Sequence, residues 1–336
     1  MRFFTLKRQM LFAMFMLFGC LAIHAADDDL ITKQITIKLD EAGTLPDKIG
    51  SSKKYKITNL KIVGEINGTD LRLIRDMAGC DCLGASTKGK LAILDLVEAK
   101  IVEGGYSYYL VQYYNGTYTS YTSYNTSNDC LGAYVFYGCI GLTSLSIPSS
   151  VASIGSSDFY SCIGLTSLSI PFGVTSIGAY AFYGCSGLTS LTLPSGVTSI
   201  GYSAFRGCSG LTSLSIPSSV NSIGNVAFYD CTGLTSVYVY TEKMPKMGTH
   251  VFDGCDAEKC ILYVPKGTYD DYWLSEFGYF ENIVEFDATG IDKVTTSSDA
   301  KEVSRFSADG QRLAVPVKGL NIVKYSDGSA RKVVVK

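Results

Sequence analysis

Charge is what this sequence lacks. Between Leu131 and Tyr238 only Asp158, Arg206 and Asp230 are charged. Folded surfaces normally intersperse charge for solubility, so hydroxyls, glycines and tyrosines must meet the water along this stretch. Histidine is scarce too, with two in 336 residues, His24 and His250. Acid–base chemistry is thus nearly without its usual side chain. The chain has no glycine-rich phosphate loop, no Cys-x-x-Cys pair and no Cys/His zinc spacing, which removes the common nucleotide and metal motifs. "GYSAFRG", Gly201 to Gly207, approaches a nucleophile elbow but places Phe205 where the second glycine belongs. The acidic pairs Asp270 with Asp271 and Glu281 with Glu285 read as solvated surface residues. No enzyme activity, cofactor or metal is expected.

The net charge is −2, far from the basic footprint of a nucleic-acid binder. Residues 1–25 read as an export signal. Arg2, Lys7 and Arg8 precede the apolar run Met10 to Ile23, and "IHA" offers small-residue cleavage after Ala25. Removing those three basic residues takes the net charge to −5. An alternative uses "LFGC", Leu17 to Cys20, as a lipobox, making Cys20 the lipidated terminus. The run is too short for a membrane span of roughly 20 residues, and nothing later is apolar enough, so no span is expected after signal removal. The product is expected at the cell surface or secreted.

What the chain does have is a repeated phrase. Phenylalanine falls at 136, 159, 182, 205 and 228, every 23 residues, then at Phe252. Three residues later come Cys139, Cys162, Cys185, Cys208, Cys231 and Cys255. Leu142, Leu145 and Ile147 begin the spacing L-x-x-L-x-L, which recurs in the next coils. In "LTSLSIP" alternation sends the aliphatic residues inward and the hydroxyls outward. Pro148, Pro171, Pro194 and Pro217 end each strand, because proline has no N–H for a ladder. A second short extended segment carries Val151 and Ile154, with counterparts in later coils. Gly155, Gly178, Gly201 and Gly224 are expected to allow a bend. A single helical turn is expected next, sharing one face between Phe182 and Cys185. Such coils stack into a quasi-one-dimensional solenoid that needs a cap at each end. The cysteines form a structural ladder, packed as small hydrophobes. Cys80 with Cys82, and Cys255 with Cys260, are candidates for local bridges after export.

The asparagine ladder of ordinary leucine-rich repeats is missing, its slot held by Ser150, Gly173, Gly196 and Ser219. "AFYGCSGLTSLTLPSGVTSIG" instead resembles the BspA-like leucine-rich repeat family of bacterial surface proteins. The fold class expected is an α/β solenoid, a leucine-rich repeat stack of 23-residue coils with a parallel β-sheet and short helical turns. A small all-β tail follows. The resemblance implies adhesion to host extracellular-matrix proteins or to other cells. Asp158 departs from the pattern, standing where other coils have Val135, Ala181, Ala204 and Ala227. Either its turn is splayed or its carboxyl takes a local capping role.

The chain divides into a signal at 1–25, an N-terminal cap with degenerate coils at 26–102 and a tyrosine-rich insert at 103–129. The close repeats occupy 130–264, a C-terminal cap 265–287, a linker 288–300 and the tail 301–336. Leu60, Ile62, Ile66, Leu71 and Ile74 are the inward residues expected upstream, and Trp273 with Phe277, Phe280 and Ile283 would close the far end. In the insert, two β-prone runs flank Asn115-Gly116, a strong hairpin signal. Its tyrosines, with serine, glycine and asparagine, have the composition of adaptable contact loops. The tail resembles C-terminal sorting or attachment modules of secreted Bacteroidetes proteins through "GQR…KGL.IV…KVVVK", with Asn321 near the usual aromatic position. Its turns are expected at Asp309-Gly310 and Asp327-Gly328.

Candidate binding residues are Tyr108, Tyr109, Tyr113, Tyr114, Tyr118 and Tyr121 on the insert. The outward sheet rows add Thr143, Ser144, Thr166, Ser167, Thr189, Ser190, Thr212 and Ser213. The reading is a non-enzymatic protein-binding or adhesion module. Glycan binding by the tyrosine hairpin is the alternative, and a purely structural envelope role the third.

Overall fold

The computed structural model describes residues 30–114, 119–241, 243–287, 302–307, 312–313, 315, 319–325 and 330–335. The signal with Cys20, the hairpin tip with Tyr118, the linker and the two tail turns lie outside the described residues.

Alternation and proline punctuation produce a stack of parallel strands. One sheet runs Ile35–Leu39, Asn59–Ile66, Ile93–Asp95, Ser144–Ser146 and Ser167–Ser169, with Ala99–Ile101 also on Asn59–Ile66. Its continuation runs Ser190–Thr192, Ser213–Ile216, Ser236–Val239, Ile261–Pro265 and Asn282–Phe286. The two meet between Ser169 and Ser190, where no strand pairing is made. Register within the repeats is one coil per step, Ser144 opposite Ser167 and Ser190 opposite Ser213. Ile93 pairs with Ser144, so the tyrosine-rich insert is looped out within one coil. A second side carries the short strands Ser153–Ile154, Ser176–Ile177, Ser199–Ile200, Ser222–Ile223 and Lys246–Met247. Upstream, Leu60, Ile62, Ile66, Leu71 and Ile74 are all buried, so the solenoid starts well before its close repeats.

On the third side the expected helical turn is absent. Tyr134, Ser157, Tyr180, Ser203, Val226 and His250 take left-handed φ values between 51° and 67°. Gly138, Ser161, Gly184, Gly207, Asp230 and Gly254 do so again four residues on. An α-helix would keep its N–H groups to itself. Left-handed residues instead turn alternate N–H groups toward the next coil. Phe136 N donates to Asp158 O at 2.9 Å, Phe159 N to Ala181 O at 2.7 Å and Phe182 N to Ala204 O at 2.7 Å. Apart from the unpaired step between Ser169 and Ser190, the backbone demand of each coil in the close repeats is therefore met largely by its neighbours on three sides.

Gly155, Gly178, Gly201 and Gly224 serve proximity rather than bending, for none of them has a positive φ. A Cβ on Gly201 would sit 2.6 Å from Ala179 N, and one on Gly178 2.7 Å from Gly155 C. Within the tube, Phe136, Phe159, Phe182, Phe205, Phe228 and Phe252 form one stacked file, with centroids 5.0 to 5.6 Å apart.

Both ends are closed by side chains. At the start, the helix Gly68–Met77 is opened by a reciprocal capping box of Asn67 and Asp70. It buries Arg75, whose guanidinium reaches the carbonyls of Tyr134, Val135 and Tyr137. Asp158 is buried and takes the capping role, accepting from Val135 N at 3.2 Å and Gly155 N at 2.7 Å. At the far end Phe277 and Phe280 close over Phe252. Trp273 does not join them, being 48% exposed. Tyr272 is the buried aromatic, its hydroxyl donating to Thr241 O at 2.7 Å. The helix Tyr269–Trp273 points one neighbour inward and the other out.

The tail forms an antiparallel sheet in the order Arg312–Leu313, Glu302–Ser307, Gly319–Tyr325, Ala330–Val335. Asn321 and Val323 are buried in it, and Arg305 Nη1 donates to Asn321 Oδ1 at 3.3 Å. Among the described residues no helix is long and apolar enough to cross a membrane.

Candidate functional site

The outward rows of the long sheet are where the alternation placed them. Thr143, Thr166, Thr189 and Thr212 are exposed, with Ser167 and Ser190, while Ser144 and Ser213 are half-buried. The hydroxyls of Thr143, Thr166 and Thr212 are not free donors, however. Thr143 Oγ1 donates to Ala92 O at 3.1 Å, Thr166 Oγ1 to Thr143 O at 3.0 Å and Thr212 Oγ1 to Thr189 O at 3.2 Å. Thr175 and Thr198 do the same on the second side. Each such hydroxyl gives its hydrogen to the preceding coil and offers only lone pairs outward, making the face rich in acceptors and uncharged.

The cysteine file is chemically silent. All ten described cysteines are free thiols, Cys80, Cys82, Cys255 and Cys260 included. The Sγ–H of Cys162 donates to Phe136 O at 3.0 Å, that of Cys185 to Phe159 O at 3.0 Å and that of Cys208 to Phe182 O at 3.1 Å. Cys231 and Cys255 repeat the contact. Burial raises the pKa of Cys139 and of Cys255 to about 12, and pushes Cys162, Cys185, Cys208 and Cys231 well above the ordinary thiol value. A thiol that holds its proton is neither a nucleophile nor a metal ligand. Among the described residues no three metal-ligating side chains come together. Ser203 of the apparent elbow is buried, its Oγ without a partner.

The insert divides into two halves. Gly104–Tyr114 pairs antiparallel with Thr119–Thr126. At its base Tyr108 and Tyr109 are buried, which takes them out of any contact surface. Tyr108 Oη donates to Ala133 O at 2.9 Å. Tyr109 stacks on Tyr134 at 5.3 Å and carries the Arg75 guanidinium 4.6 Å from its centroid. Beyond the base, Tyr113, Tyr114 and Tyr121 are 54%, 72% and 52% exposed.

A further file was not anticipated. On the turn side Tyr137, Tyr160 and Tyr183 stack face to face at 5.0 and 4.6 Å. Arg206 follows in the next coil and Tyr229 in the one after, with Tyr180 and Tyr202 edge-on beside them at 5.1 Å. The signal was available: each residue follows a repeat phenylalanine directly and so shares its 23-residue period. Their ring faces cover one another, so the solvent meets phenol edges and hydroxyls.

In-register parallel coils with an aliphatic and aromatic interior define a leucine-rich repeat solenoid. Residues 129–259 match the BspA type leucine rich repeat region in 6 copies, and it is this stretch of the chain that is similar to that family. Among solved structures, a Treponema pallidum leucine rich repeat protein is 28% identical, at a TM-score of 0.34 over 46% of this chain and 63% of that one. The chain thus spans less than two thirds of that relative. A leucine rich cell surface protein of Faecalibacterium prausnitzii is 23% identical over 65% of this chain and 51% of its own, at a TM-score of 0.31. The pneumococcal vaccine antigen PcpA is 18% identical over 69% of each chain, at a TM-score of 0.38. No curated protein matches the chain.

Proposed function

We propose that this chain is a non-enzymatic binding module, exported and held at the cell surface or released from it. Its partners are proteins of a host matrix or of other cells. One observation carries the reading: what could react is inside, and what repeats in register is outside. Five cysteine thiols donate to carbonyls within the tube, while the threonine rows present acceptors once per coil. Evenly spaced identical groups suit an extended or multivalent partner. The basic-then-apolar start supports export, and the tail sheet is the segment that would attach or sort the protein.

Exposure of Tyr113, Tyr114 and Tyr121 favours a second reading, in which the outer half of the hairpin is an aromatic platform for sugars. Screening the mature protein against arrays of matrix proteins and glycans tests both. The companion variant replaces Tyr113, Tyr114 and Tyr121 by serine and keeps the hairpin base, whose Tyr108 and Tyr109 belong to the N-terminal cap. Glycan binding lost in that variant supports the platform, and matrix-protein binding retained supports the sheet rows. No saturable partner of either kind leaves the structural envelope role.

A further inference from the structure

Between Leu131 and Tyr238 the chain carries one cation, Arg206, and among the described residues no ion pair uses its charge. Arg206 takes the slot that Tyr137, Tyr160, Tyr183 and Tyr229 fill in other coils. Its guanidinium carbon lies 4.5 Å from the ring centroid of Tyr229 and 5.9 Å from that of Tyr183. Among the described residues no carboxylate is within ion-pair distance of it. The next residue of the column after Tyr229, Asp253, is held by His250 Nδ1 at 2.8 Å. Asp158 is buried between the first two close coils.

A guanidinium stacked on aromatic rings keeps its plane fixed and its edge N–H donors available, a fork that matches one planar carboxylate. Tyrosine and arginine are also the side chains that concentrate energy at protein interfaces. Arg206 and Asp230 are the only charges on the surface between Leu131 and Tyr238, Asp158 being buried. The Asp230 carboxylate lies over Gly254, in the coil that follows its own, whereas Arg206 is in the coil that precedes it. The rest of the chain's negative charge lies outside this stretch, and charges beyond a screening length of about 8 Å count for little. We propose that the tyrosine file of the turn side is a docking surface for an acidic segment of a partner protein. A carboxylate of that segment would sit on Arg206 and its backbone along the phenol hydroxyls. This rests on the binding-module reading and names its partner chemistry and a face that the outward sheet rows do not include.

The test uses the full mature chain and immobilised poly-L-glutamate, with heparin and poly-L-lysine alongside, at low and high salt. Arg206→Tyr is the informative variant, because it restores the residue that neighbouring coils already use and removes only the charge. It is expected to fold with unchanged or higher stability and to weaken polyglutamate binding between about tenfold and a hundredfold. Arg206→Lys is expected to fall between the two, keeping charge without the fork. Equal polyglutamate binding by Arg206→Tyr, preference for heparin, or no retention of the wild type on polyglutamate would each overturn this assignment. A chain that fails those arms yet still binds array proteins leaves the binding-module reading standing. One that binds nothing anywhere sinks both.

Discussion

Nη1 of Arg75 donates to the carbonyl oxygen of Val135 at 2.8 Å, in the slot where Phe136 N serves Asp158 O and Phe159 N serves Ala181 O. Nη2 reaches Tyr137 O at 3.1 Å, and Tyr108 Oη reaches Ala133 O at 2.9 Å. Those three carbonyls face the side from which no further turn of this kind arrives. Two side chains therefore imitate the missing coil. Replacing Arg75 by methionine keeps bulk but orphans buried acceptors, at about 1–3 kcal/mol for each left unpaired. The expected loss is about 3 kcal/mol or more, felt first at the N-terminal end, since solenoids lose structure locally. Hydrogen exchange at the Phe136 amide should accelerate while that of Phe205 stays slow. Uniform acceleration along the stack would contradict this capping account.

The thiol file makes a pH prediction. Burial raises Cys139 to about 12 and drives Cys162, Cys185, Cys208 and Cys231 upward as well. The folded chain keeps these protons while the unfolded chain releases them above the ordinary thiol value of about 8.5. The stabilisation is complete below that value and is lost as pH rises through it, by roughly 1.4 kcal/mol per pH unit for each thiol. The urea midpoint should fall steeply above about pH 9, and Cys185→Ala should flatten the slope. Under native conditions iodoacetamide should leave Cys162, Cys185 and Cys208 unmodified, as mass spectrometry would show.

Much of this interior could be read from the chain, because a period copied coil after coil averages out the ambiguity of any one segment. Phe182, Cys185, Leu188 and Leu191 are inward because alternation and spacing leave them no other place. The turn side misled for a physical reason. Phe182 and Cys185 are three apart in a helix and also in a reverse turn, and only the φ of Tyr180 and Gly184 separates the two. Surface roles were least legible. Tyr108 and Tyr113 look alike in sequence, yet one is buried as a cap and the other exposed, since the difference is set by a helix some thirty residues upstream.

Two glycine positions should respond differently to alanine. At Gly201 a Cβ would lie 2.6 Å from Ala179 N, backbone that cannot yield without separating the coils. At Gly184 the nearest atom would be Ser161 Oγ at 3.6 Å, and the cost comes from a φ of 69°. Gly184→Ala is expected to cost about 1–2 kcal/mol, the left-handed penalty. Gly201→Ala should exceed that and lower the denaturant slope as stacking loosens. Similar midpoints for the two variants would mean the coils have more slack than their spacing indicates.

Asp158 offers the sharpest contrast between pattern and geometry. The pattern favours alanine, present at Ala181, Ala204 and Ala227. The geometry favours the carboxyl, because Val135 N and Gly155 N both donate to it. Asp158→Ala should therefore destabilise by about 1–3 kcal/mol, the cost of orphaning buried donors. Burial also pushes this carboxyl's pKa well above the usual range, outweighing the two backbone donors that pull it down. A group whose folded pKa is raised stabilises most below its unfolded value of about 4, and loses that contribution as pH rises. Asparagine cannot titrate, so the stability of wild type relative to Asp158→Asn should grow on acidification from neutrality toward about pH 4. Urea midpoints of the two proteins across that window measure it directly. A constant difference would show that Asp158 is ionised in the folded chain, and that its two backbone donors, rather than burial, set its charge.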